Sequence, residues 1–228
     1  MKARLFIVLL LLSIYPAFSQ ERLAPVGRSS EYEYYQRVDN LLIGRGRNKF
    51  VFQVRPSFEP ASCLFFSDET KELVLREAEK NIWYTEKWYS PSKHSRKSSN
   101  PQNAITIKEY RCSVSARISE KLDSLFMSAV FSSSLMTGSG GLDGTIFELR
   151  TFGGRYAAYC WSPKQDSSNC SRLVCVLEAL CGFVKEDNLN GIDGLLPEID
   201  SLTTIFTDLL PQGGRIVDRE TGFVYESR

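Results

Sequence analysis

Residues 144–161, GTIFELRTFGGRYAAYCW, decide the fold. Apolar and polar side chains alternate on both sides of Gly153-Gly154, the signature of two half-buried strands, and two adjacent glycines reach the positive φ values of a type I′ turn without a Cβ clash. Pairing outward from that turn sets Phe152 opposite Arg155, Leu149 opposite Ala158 and Phe147 opposite Cys160. Glu148 then meets Tyr159, and Ile146 meets Trp161. The Phe147/Leu149 face is the more apolar and is expected to meet helices.

Further strands are predicted on either side of this hairpin's partners. Phe50, Phe52 and Val54 alternate with Val51, Gln53 and Arg55 before Pro56 ends the run. Ser62–Phe66 and Lys71–Ala78 flank the turn-forming Ser67-Asp68-Glu69-Thr70, and Ile105–Val114 regains strand character. The aromatic stretches Glu31–Val38 and Asn81–Tyr89 also read as strand. Helices are predicted over Ser119–Ser133, with Ser119 as its cap, over Ser171–Val184, and over Pro197–Leu210, with Pro197 in the first turn. Asp187–Gly194 reads as a turn-rich connector. The expected fold is α+β, a mostly antiparallel sheet with two or three helices packed on one face.

The N-terminus sets the compartment. Lys2 and Arg4 precede the apolar run Leu5–Leu12, and Ala17-Phe18-Ser19 supplies the small residues of a signal-peptidase site. The expected organisation is a signal peptide over 1–19, a mobile arm or linker over 20–30, and a single α+β domain over 31–228. This places the protein outside the cytosol, secreted or periplasmic, with no transmembrane segment after signal removal. The formal charge of +1 becomes −1 once Lys2 and Arg4 leave with the signal, so nothing in the global charge calls for a specific nucleic-acid partner. Six cysteines, Cys63, Cys112, Cys160, Cys170, Cys175 and Cys181, form an even set in an oxidising compartment and are expected to supply up to three disulfides, with buried free thiols as the alternative.

No residue pattern identifies a catalytic group. His94 is the single histidine and lies in the polar run Ser92–Lys97, and the chain has no G-x-S-x-G elbow, Walker A loop or H-E-x-x-H. No cofactor or metal site is expected. The oxygens of Asp187–Gly194 fail the alternation of an EF-hand because Leu189 and Ile192 interrupt it. The most suggestive surface is Lys87–Lys108, with five cations and no acid beside Trp83, Tyr84, Trp88 and Tyr89. Flat rings stack on sugars while cations meet anionic groups, so Trp83, Trp88, Tyr89, Lys93, Arg96 and Lys97 are the candidate ligand-binding residues. The same aromatics also suit a fold-building role, with the charges solvating a long loop.

Asn81-Ile82-Trp83-Tyr84, Gly141-Leu142-Asp143-Gly144-Thr145, and Ala157–Trp161 with Ser162-Pro163 and the Leu-rich helix after it together resemble exported bacterial proteins of uncharacterised function. The resemblance spans roughly residues 61–185 and implies compartment and architecture, not residue roles. The expected function is binding or interaction with an extracellular protein or glycan. The alternatives are a carboxylate-dependent extracellular hydrolase and a structural component of the cell envelope.

Overall fold

A computed structural model describes residues 22–25, 32–44, 46–86, 88, 104–134, 144–163 and 168–210, together with the backbones of 215–217 and 224–226. Seven strands form one antiparallel sheet: β1 (Ala24–Pro25), β2 (Asn48–Pro56), β3 (Ser62–Ser67), β4 (Glu72–Ala78), β5 (Ile107–Ser113), β6 (Thr145–Thr151) and β7 (Tyr156–Trp161). Their spatial order is β1-β7-β6-β2-β3-β4-β5. Two short strands, β8 (Arg215–Val217) and β9 (Val224–Glu226), pair separately. The helices are α1 (Tyr32–Leu42), α2 (Ile82–Thr85), α3 (Ala116–Phe131), α4 (Asn169–Lys185) and α5 (Leu189–Asp208). The fold is α+β.

The β6–β7 hairpin has the register its sequence dictates, with Phe147 opposite Cys160, Glu148 opposite Tyr159 and Leu149 opposite Ala158. Gly153 and Gly154 adopt φ values of 68° and 90°. The loop opens one residue earlier than predicted, because Phe152 also turns to φ 51° and packs its ring beside Phe131 and Tyr156. Thr151 and Tyr156 are the last registered pair.

Phe147 and Leu149 join Phe50, Phe52, Leu64, Leu73 and Leu75 in the larger core, which α3, α4 and α5 cover. Leu122, Leu125, Phe126 and Ala129 of α3, and Leu173, Leu177 and Leu180 of α4, recur at the helical period and supply its other half. Both helices start earlier than predicted: Ser115, rather than Ser119, accepts the capping amide bond of α3, and Ser168 accepts that of α4. Helix α5 absorbs the expected connector. Asn188 caps it by accepting from the Gly191 amide at 2.9 Å, Pro197 lies inside it, and Ile192, Leu196, Ile199, Leu202 and Phe206 form one buried stripe. Gly191 is needed there, as a Cβ would stand 2.6 Å from the Phe183 ring.

The opposite face is not left open. Of the stretch Glu31–Val38, predicted as strand, Tyr32–Val38 lies in helix α1, which buries Val38 and Leu42 against Val51, Cys63, Phe65 and Val74. Likewise, the aromatic run at Asn81 forms helix α2, with Asn81 as cap. The segment expected to be an arm is anchored where it is described: Leu23 is fully buried, its carbonyl accepts from the Ser134 amide, and Ala24 pairs with Tyr159. Both sheet edges are blunted against further pairing, one by the two-residue β1 ending in Pro25 and the other by Lys108, Glu109 and Arg111 on β5.

Candidate functional site

The expected disulfides do not form in this structure. The sheet separates Cys63, which faces α1, from Cys112, Cys160 and Cys170 on the α3–α5 side, while Cys175 is exposed on α4. Burial pushes the Cys63 thiol above its ordinary range and the Cys181 thiol up to about 12. These are poor nucleophiles.

Beneath α1 the polar side of β2 and β6 is buried rather than solvated. Arg150 donates to Glu148 Oε1 at 2.6 Å, to Gln53 Oε1 at 2.7 Å and to Asp39 Oδ1 at 2.8 Å. Arg55 donates to the other oxygen of Glu148, and its guanidinium sits 4.3 Å from the centre of the Tyr35 ring. Burial works against the charge on Arg150, but Glu148 and Asp39 outweigh it and hold the proton more tightly than usual. Two guanidiniums and two carboxylates cancel, so the cluster is a neutral seam fastening α1 to the sheet. Glu148 is clamped by two cations and is unsuited to proton transfer.

The aromatic stretch after β4 forms a rim at one end of the sheet. Trp83 and Trp88 pack around Tyr34, with ring centroids 4.9 and 5.6 Å away, and Trp88 Nε1 donates to Glu86. Arg37 of α1 binds the same Glu86 in a forked pair. In front of this scaffold Tyr84 stacks on Phe58, the planes 11° apart and the centroids 6.2 Å apart. Phe58 is 63% exposed and Tyr84 47%. One side chain fixes both: the Asn81 carboxamide donates to the carbonyls of Ser57 and Glu59, which flank Phe58, and accepts from the Tyr84 amide.

Of the six residues expected to bind ligand, the structure therefore brings Trp83 and Trp88 together as support. Tyr89, Lys93, Arg96 and Lys97 lie outside the described residues. Phe58 was missed, because a lone Phe between Ser57 and Glu59 in a proline-flanked loop carries no periodic signal. Lys108, at the far end of the basic stretch, pairs with Glu79 at 3.2 Å.

Among the described residues no group of three or more His, Cys, Asp or Glu side chains is arranged to hold a metal. No described helix is long and apolar enough to cross a membrane. Compared with known families, curated proteins and solved structures, the chain matches none.

Proposed function

We propose that the chain is an exported binding protein, secreted or periplasmic, that engages an anionic glycan through the aromatic rim. The observation that carries this reading is the Phe58–Tyr84 pair, two large rings kept in solvent and held parallel by the fully bonded Asn81. Exposed aromatics lose hydrophobic stabilisation, and fixing them in advance lowers the entropy lost on binding. Parallel rings suit the flat C–H faces of successive sugars better than the irregular relief of a protein surface. In the sequence just after Tyr84, the Lys87–Lys108 stretch carries five cations and no acid, a charge that suits carboxylate or sulfate groups.

Affinity electrophoresis through gels containing alginate, heparin or neutral dextran tests the proposal. Retardation by an acidic polymer, lost in Phe58→Ala and Tyr84→Ala at unchanged melting temperature, is the expected result. Equal mobility of wild type in all three gels, or retardation that both variants retain, would overturn it.

A further inference from the structure

The rim occupies the end of the sheet where β2 finishes. At the other end, about 27 Å away along that nine-residue strand, a cleft of about 530 Å³ opens between β2, α3 and the β6–β7 loop. Its size falls within the range that takes small molecules. Four features of its lining point to a ligand.

Asn48 starts β2 and is 6% exposed, yet among the described residues its carboxamide makes no hydrogen bond. Its amide atoms are not sealed from solvent, because Arg55 Nε is the only buried and unbonded side-chain atom among the described residues, so they present both a donor and an acceptor to the cleft. The pairing of β2 with β3 slips between Asn48 and Val51, a bulge of the kind that re-aims side chains beside binding sites. Phe152, on the cleft's rim, is 54% exposed and held at φ 51°, a conformation that disfavours a bulky residue and that the neighbouring glycines would accept more readily. Finally, the charges do not balance locally. Lys49 pairs with Asp123 at 3.3 Å and Asp68 with Lys71 at 3.6 Å, whereas Arg47 makes no ion pair among the described residues.

We propose that this cleft binds a flat heteroaromatic ring carrying an anionic group, the chemistry of a purine mononucleotide. The ring packs on Phe152 and Met127, its adjacent donor and acceptor meet the Asn48 carboxamide, and the anion meets Arg47. Asparagine matches the amino and ring-nitrogen edge of adenine in two bonds, and base stacking on a fixed aromatic ring adds to it. The two acids of the cleft do not favour hydrolysis instead, since each is bound to a lysine and neither is enclosed by the apolar walls a general acid requires.

The test is calorimetric titration of the purified chain with adenosine 5′-monophosphate, adenosine and ribose 5-phosphate. The nucleotide should bind saturably, adenosine more weakly, and ribose 5-phosphate not measurably. Asn48→Leu should weaken the nucleotide about tenfold, and Arg47→Ala should reduce it to the affinity of adenosine. Absence of saturable binding at millimolar nucleotide, unchanged binding by Asn48→Leu, or equal binding of ribose 5-phosphate would each overturn the proposal. Should Asn48→Leu fail to fold, nuclear magnetic resonance shifts on wild type decide: perturbation centred on Asn48, Met127 and Phe152 supports the site, and perturbation elsewhere refutes it. Phe58→Ala, at the distant rim, should bind the nucleotide as wild type does.

Discussion

Arg150 and Glu148, two residues apart on β6, bond through Nε and Oε1 at 2.6 Å with both side chains almost fully removed from water. Among the described residues Glu148 is also the one carboxylate that Arg55 reaches directly, so its loss leaves Asp39 as the one described acid facing the two buried guanidiniums. Removing one member of such a set destabilises by about 3–5 kcal/mol, because the partner charge stays buried and uncompensated. Glu148→Gln should therefore lower the urea midpoint sharply. Adding Arg150→Met should lose less than the two single effects combined, the coupling expected of contacting residues. Additive losses would mean that the seam is not a unit.

The same residues explain where the sequence was readable. Alternation through Ile146–Thr151 assigned Phe147 and Leu149 to one face and Glu148 and Arg150 to the other, and the glycine pair fixed the register. Alternation reports sidedness, however, and not whether the polar side meets water. The covering helix α1 was obscured because Tyr32, Tyr34 and Tyr35 favour strands and the first two alternate with Glu31 and Glu33, although Tyr34, Val38, Leu41 and Leu42 keep helical spacing. Asn48 and Phe58 were invisible for another reason: a bulge and a loop tether, both set by tertiary contacts, give them their settings.

Thiol reactivity should separate by depth. Cys175 is exposed, while Cys63 is buried and the Cys112 thiol is pushed up to about 11 by burial and by its bond with Asp187. A neutral maleimide applied to the native protein should modify Cys175 first, and the buried thiols only on unfolding. Peptide mapping by mass spectrometry reads the order, and early labelling of Cys63 would contradict the burial beneath α1.

Edge strand β5 should loosen in acid. Arg111 holds the Glu72 carboxyl below its usual range by hydrogen bonding. Burial opposes ionisation of Glu109, but bonds from Arg76 and Arg111 prevail and lower it too. Acids that ionise more readily when folded stabilise fully above the ordinary carboxylate range, and that contribution disappears as pH falls through their depressed folded values. Hydrogen exchange in Ile107–Ser113 should accelerate over that acidic interval, relative to β2 at the sheet centre. Glu72→Gln with Glu109→Gln should flatten the difference.

The segment around Leu23 should be a structural element rather than a dispensable lead. Leu23 lies in the main core, and its carbonyl ties the end of α3 through the Ser134 amide at 2.8 Å. Leu23→Ala leaves a cavity in the main core, a change that destabilises by about 2–5 kcal/mol according to how far the neighbours collapse. Arg37→Ala, which breaks an exposed pair with Glu86, should alter stability by about 0.2–1 kcal/mol. Equilibrium unfolding of both variants ranks the two contacts. A Leu23→Ala loss no larger than that of Arg37→Ala would mean that β1 detaches from the sheet in solution and that Tyr159 is left at the true edge.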